Sequence, residues 1–233
     1  MLLSTVLEAT MKIKGAIFDM DGTLVDSLSF WGYLWSEIGK KYFDNEDFLP
    51  DPEIDRMART MIYDDAMIYF KNYYSIPCSD NDFVDFAKSG IADFYKNEAK
   101  LKLGARELLD NLKARKIKLC LASATERDSL VPALEACGIK EYFDIILSCS
   151  DFGVGKDKPD IYLEAEKALG IDKKELCVIE DSCVALETAK SAGFHTVGVF
   201  DKYNFGHDRL RAASEIYLDD GVSLETLINK FEC

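Results

Sequence analysis

The sequence predicts an α/β fold, a doubly wound parallel sheet carrying an inserted helical bundle, and three observations predict it. Short apolar runs recur along the chain, amphipathic segments alternate with most of them, and one long stretch after the first run breaks that alternation. Continuous apolar runs suit strands buried on both faces. Strands that alternate with helices place their connections on both sides of a single sheet.

The first strand is Ile13 to Phe18. Residues 27–103 then carry no strand pattern. Phe30, Trp31, Leu34, Trp35 and Ile38 recur at helical spacing, and 54–74 and 83–94 are helical and rich in aromatics. This stretch predicts a small bundle inserted after the first strand, leaving 1–26 and 104–233 as the α/β core. Within that core the strand pattern returns at Ile117 to Ala122, Phe143 to Leu147, Leu176 to Ile179, Thr196 to Phe200 and Ile216 to Leu218. Helical spacing fills the intervals at 105–113, 129–136, 161–169 and 184–192. Gly138, Gly170 and Gly193 follow three of these helices as C-terminal stops.

Composition narrows the class of function. Of 233 residues, 48% are hydrophobic and 30% charged, the balance of a folded globular protein. A net charge of -14 would repel a phosphate backbone, so nucleic acid is not an expected partner. No run approaches the ~20 apolar residues of a membrane span, and the first ten residues lack a basic start, so neither membrane insertion nor a leader peptide is expected. The seven cysteines are dispersed, without CxxC spacing, as in a reducing cytoplasm. With His195 and His207 the only histidines, triads and metal sites built on histidine lose ground.

In an open parallel sheet, ligands bind beyond the carboxyl ends of the strands, where strand order reverses. The residues just past those ends are Asp19 and Asp21, then Ser123, then Lys156 in the loop after the third core strand, then Glu180 and Asp181. A lone Asp-x-Asp-Gly also suits a turn whose carboxylates merely accept from backbone amides. Four carboxylates converging from separate segments need a cation, however, and magnesium takes this kind of hard oxygen donor.

Four segments, taken in order, resemble the motifs of the haloacid dehalogenase superfamily: Asp19-Met-Asp-Gly-Thr-Leu-Val-Asp26, Leu121-Ala-Ser-Ala124, Gly155-Lys-Asp-Lys-Pro-Asp-Ile-Tyr162 and Val178-Ile-Glu-Asp-Ser182. The resemblance runs from Lys12 to the C-terminus. It implies a Rossmann-like core and a helical cap of the kind found in the phosphoglycolate phosphatase and beta-phosphoglucomutase branch. It implies that Asp19 is a nucleophile, Asp21 the general acid and base, Ser123 a phosphate ligand and Lys156 the neutralising cation. Asp19, Glu180, Asp181 and the main-chain carbonyl of Asp21 would hold Mg2+. Ala124 would line the phosphate site, while Trp31 and Arg59 would reach the substrate from the cap.

The aspartate at position 21 argues for phosphate esters over carbon-halogen bonds. The implied activity is hydrolysis of a small phosphorylated metabolite, a sugar phosphate or a phosphoglycolate-like acid, by a cytoplasmic monomer or weak homodimer. A phosphosugar mutase is the alternative, although the histidine that mutases carry in the first cap helix has no counterpart between Ser29 and Tyr33. A non-catalytic binder of phosphometabolites is a second alternative, and no motif residue has been lost to favour it. Two departures stand out: Asp157 replaces the usual proline after Lys156, and Ala185 occupies a common glycine position.

Overall fold

The computed structural model describes residues 10–58, 61 and 63–232. The opening run up to residue 9 lies outside the described residues, as does Arg59. The chain begins with β1 (Met11–Lys12), β2 (Gly15–Phe18) and β3 (Val25–Asp26). Four helices follow: α1 (Phe30–Phe43), α2 (Pro52–Ala58), α3 (Tyr63–Tyr73) and α4 (Asp80–Asn97). Then come β4 (Lys100–Leu101), α5 (Ala105–Ala114), β5 (Lys118–Ser123), α6 (Arg127–Ala136), β6 (Ile145–Ser148) and α7 (Asp160–Leu169). The chain continues through β7 (Leu176–Glu180), α8 (Cys183–Ala192), β8 (His195–Val199), α9 (His207–Ala213), β9 (Ile216–Leu218) and β10 (Phe231–Glu232).

Six strands form one sheet in the order β6-β5-β2-β7-β8-β9, with every pairing parallel. Side chains alternate between two apolar layers, as the period of a strand requires. Ala16, Phe18, Leu119, Leu121, Cys177 and Ile179 face the layer covered by α5 and α6. Ile17, Cys120, Ala122, Leu176 and Val178 face α7, α8 and α9. Both faces are covered, which is why these strands read as unbroken apolar runs. Gly170 (φ 67) and Gly193 (φ 93) end α7 and α8 in the left-handed conformation.

The third core strand starts at Ile145, two residues later than the apolar run suggests, because Lys140–Tyr142 coils into a 3-10 turn. Phe143 folds inward instead, its ring 6.4 Å from that of Phe18 at an edge-on angle. Asp144 accepts from the backbone N–H of Leu119 (3.0 Å) and from Lys118 (3.1 Å), which fixes the new start of the strand.

The helices α1 to α4 enclose an apolar cluster of their own, including Leu34, Trp35, Ile38, Met67, Phe70 and Phe83. Trp35 stacks on Phe70 with centroids 4.6 Å apart, and its indole N–H donates to Asp55 at 2.7 Å, so the buried ring keeps its polar atom satisfied. Both crossings between sheet and helices run side by side, since β3 and β4 pair antiparallel at Val25 with Leu101 and Asp26 with Lys100. A two-residue ribbon is too short to show in the sequence pattern.

Within α1, Gly39 lets the following loop close onto the helix. A Cβ there would lie 2.2 Å from the Asn45 carbonyl and 2.4 Å from Phe48 Cβ. Replacing a helical glycine by alanine ordinarily stabilises by ~0.5–1 kcal/mol. Gly39→Ala should instead destabilise by about 1–3 kcal/mol through overpacking. Urea denaturation checks the sign, and a gain in stability would show that the loop does not press on α1.

Candidate active site

Asp19 follows β2, the strand at which sheet order reverses. Its backbone N–H donates to Ile179 at 3.0 Å, which extends the ladder one residue past the strand and aims the side chain over the sheet end. The chain then turns sharply at Gly22, where φ is 83. The Gly22 N–H donates to Val25 (2.9 Å) and the Val25 N–H to Met20 (2.9 Å). Glycine is needed here twice over, for the positive φ and because a Cβ would lie 2.3 Å from the Asp181 carboxylate.

β7 ends in Glu180, with Asp181 the next residue, and β5 ends in Ser123. All three side chains are buried, as is that of Asp19. Lys156 reaches in from the loop before α7 and donates both to Asp19 and, at 2.6 Å, to Glu180. The other oxygen of Glu180 accepts from the N–H of Ser182 at 2.9 Å. Asp181 accepts from Thr23 (3.1 Å) and from Asn204 (2.7 Å). Asp19, Glu180 and Asp181 each offer an oxygen within 4.8 Å of the others.

Burial penalises charge in this cluster. It lifts the Asp19 carboxyl to about 8 against the pull of Lys156, and Glu180 and Asp21 push in the same direction as burial. Burial, then Glu180 and Asp19, holds Asp181 well above the ordinary carboxylate range. Burial alone would lower Lys156, but Asp19 and Glu180 outweigh it and keep the ammonium charged. One cation thus faces three buried acids. That all-oxygen donor set, short of positive charge, fits a divalent ion that prefers hard ligands.

Asp21 is arranged differently. One carboxylate oxygen accepts from Ser27 (2.6 Å) and Tyr95 (2.5 Å), and the other accepts from Thr125 (2.7 Å). Its side chain is therefore committed to three hydroxyls and stands apart from the cluster formed by Asp19, Glu180 and Asp181. Tyr95 comes from α4, so a helix of the insertion touches the aspartate directly.

A cavity of about 610 Å3 joins these groups, lined at one end by Asp19, Asp21, Ser123, Ala124, Lys156, Glu180 and Asp181 and at the other by Trp31 and its neighbours from the helices. The structure thus brings together every residue singled out from the sequence except Arg59, which lies outside the described residues. It adds Thr23, Ser27, Tyr95, Thr125 and Asn204. Applying the strand-end rule to the fifth core strand as well would have pointed to the loop that holds Asn204. Nothing in the sequence pattern marks Tyr95.

The profile of haloacid dehalogenase-like hydrolases matches residues 13–193. A phosphorylated carbohydrates phosphatase of Thermotoga maritima is 26% identical over 203 residues, covering 87% of this chain and 92% of its own. A crystal structure from Thermotoga maritima, provisionally described as a beta-phosphoglucomutase, is 25% identical with a TM-score of 0.75, covering 93% of this chain and 97% of its own. The structure of CbbY from Rhodobacter sphaeroides in complex with phosphate shares the fold at 24% identity and a TM-score of 0.75, covering 92% and 96%.

The raised pKa of Asp19 has a consequence for stability. Folded, Asp19 keeps its proton up to about pH 8, whereas the unfolded chain releases it near pH 4. The folded state holds more protons across that window, so the stability it confers is full below pH 4 and lost towards pH 8. In chelator, unfolding free energy should fall as pH rises from about 5 to 8, and Asp19→Asn should make the slope shallower. Denaturant titrations at stepped pH check this, and a rising slope in the wild-type protein would refute it.

Proposed function

This chain belongs to the haloacid dehalogenase-like hydrolases, and we propose that it is a phosphatase of small phosphate monoesters working through an aspartyl-phosphate on Asp19. The observation that carries this reading is the Lys156 ammonium shared between Asp19 and Glu180 at adjacent strand ends. It screens a buried carboxylate that must approach an anionic ester.

The Asp19 carboxylate attacks phosphorus, forming an O–P bond as the bond to the leaving oxygen breaks, and Asp21 gives its proton to that oxygen. Water then attacks the aspartyl-phosphate while Asp21 takes a proton back, releasing inorganic phosphate and restoring Asp19. Ser123, Lys156 and the amide of Ala124 hold the phosphoryl oxygens. Asp19, Glu180, Asp181 and the Asp21 main-chain carbonyl would hold magnesium, which when bound supplies positive charge to the nucleophile and the phosphoryl group. Residues 27–103 act as a cap over the core of 1–26 and 104–233, excluding water and contacting the leaving group through Trp31. Unpaired thiols at Cys78, Cys120, Cys137, Cys149, Cys177 and Cys183 are in keeping with a cytoplasmic setting.

The similarity to a structure described as a phosphoglucomutase raises a second reading, in which the aspartyl-phosphate passes to a sugar hydroxyl instead of water. The described cavity lining includes no histidine that could serve as the cap acid or base, which favours hydrolysis.

Two outcomes are expected. Hydrolysis of 4-nitrophenyl phosphate should require a divalent ion and fall by roughly three orders of magnitude or more in Asp19→Asn, with the fold retained. Activity that persists in chelator or in this variant would remove the reading. Beta-glucose 1-phosphate given with a trace of the 1,6-bisphosphate should yield no appreciable glucose 6-phosphate in a dehydrogenase-coupled assay. Rapid NADPH formation without phosphate release would establish the mutase instead.

A further inference from the structure

We infer that Lys102, where the chain returns from the helical unit, is a positioning residue for the metal site: by holding Asp201 it fixes the loop from which Asn204 orients Asp181. The inference rests on the placement of magnesium within the phosphatase reading. Lys102 directly follows β4, and its backbone N–H donates to the Leu24 carbonyl at 2.9 Å, which ties it to the outgoing crossing. Its ammonium reaches the loop after β8, where it pairs with Asp201 at 2.6 Å and donates to the Phe200 carbonyl at 3.1 Å. The pair is buried, with 16% of the lysine side chain and 3% of the aspartate side chain exposed.

Asp201 organises that loop. Its carboxylate accepts from the Tyr203 N–H at 2.8 Å, and its carbonyl accepts from the Asn204 N–H at 3.1 Å and from His207 Nε2 at 2.9 Å. The Asn204 amide is then held at both ends. Its oxygen accepts from the Phe205 N–H at 2.8 Å, and its nitrogen donates to one oxygen of Asp181 at 2.7 Å. Thr23 donates to the other oxygen at 3.1 Å, so the turn after β2 and the loop after β8 fix the two sides of this carboxylate. A partner that orients a ligating carboxylate ordinarily changes metal affinity by about 10–100-fold.

Stability does not account for the buried pair. Desolvating an ammonium and a carboxylate roughly offsets their attraction, so such a pair serves geometry better than it serves stability. Charge and position also make opposite predictions here. Lys102 brings positive charge towards an acidic site, so by Coulomb attraction alone its removal should tighten the binding of a cation. If the lysine instead holds the loop, its removal should loosen Asn204 and weaken binding.

The test is a calorimetric titration of the full chain with Mn2+, a divalent ion that takes the same oxygen donors, in the absence of substrate. Asn204→Ala should weaken binding about tenfold and Lys102→Met about fivefold, the latter despite the loss of a positive charge. Lys102→Met combined with Asn204→Ala should bind no more weakly than Asn204→Ala alone, because both act through one contact. Asp201→Asn keeps an acceptor for Tyr203 while losing the ion pair; it should show the same pattern, and it carries the test if Lys102→Met does not fold. Unchanged or tighter binding in Lys102→Met or Asp201→Asn, or losses that add to that of Asn204→Ala, would overturn the inference and leave the phosphatase standing. A chain that binds Mn2+ with this pattern yet hydrolyses no phosphate monoester would overturn the phosphatase and leave the role of Lys102 standing.

Discussion

Acidic groups buried together are the constraint around which this molecule is organised. Asp19, Glu180 and Asp181 lie within reach of one another at the ends of two adjacent parallel strands, with the single ammonium of Lys156 between two of them. No stability argument explains such a cluster, because apolar residues of similar volume would hold those strand ends at lower cost. The surrounding structure accommodates it. Gly22 leaves out a side chain so that Asp181 can approach, Thr23 and Asn204 donate to that carboxylate, and the Ser182 amide donates to Glu180. Three buried carboxyl oxygens whose ionisation is opposed by burial and by one another form a donor set that a hard cation would stabilise in its charged form.

Asp21 shows how two carboxylates separated by one residue acquire different environments. Asp19 continues the ladder of β2 and is buried, while Asp21 has left the sheet and is met by hydroxyls from three separate segments. Because Tyr95 belongs to α4, the position of the helical unit and the orientation of Asp21 are mechanically linked. Lys88, which bridges Asp64 on α3 and Glu126 ahead of α6, adds a second tie between helices and core. The end of the cavity that holds Asp19 and Lys156 is thus built at the sheet, and its other end by the helices.

Much of this was legible in the sequence, for a physical reason. Strands covered on both faces must be apolar throughout, so the core strands announced themselves, and the polar residues that ended them are the ones that line the cavity. Asp19, Ser123, Glu180 and Asp181 could be found by that logic alone. What escaped notice depends on tertiary approach. Tyr95 is one aromatic among many in an amphipathic helix, and only the packing of α4 against the core directs its hydroxyl to Asp21. Asn204 sits in a loop without periodicity. The later start of β6 reflects local competition, in which Asp144 gains two donors by leaving the apolar run that precedes it.

The antiparallel pairing of β3 with β4 places the exit from the core beside the return to it. The whole helical unit therefore hangs from a closed base two residues long, and its internal apolar cluster does not rely on the strand layers. Topologically it is a cassette. Its length and content can change without moving any strand of the sheet, so the helices that line one end of the cavity can be exchanged while the strand ends that line the other stay in place.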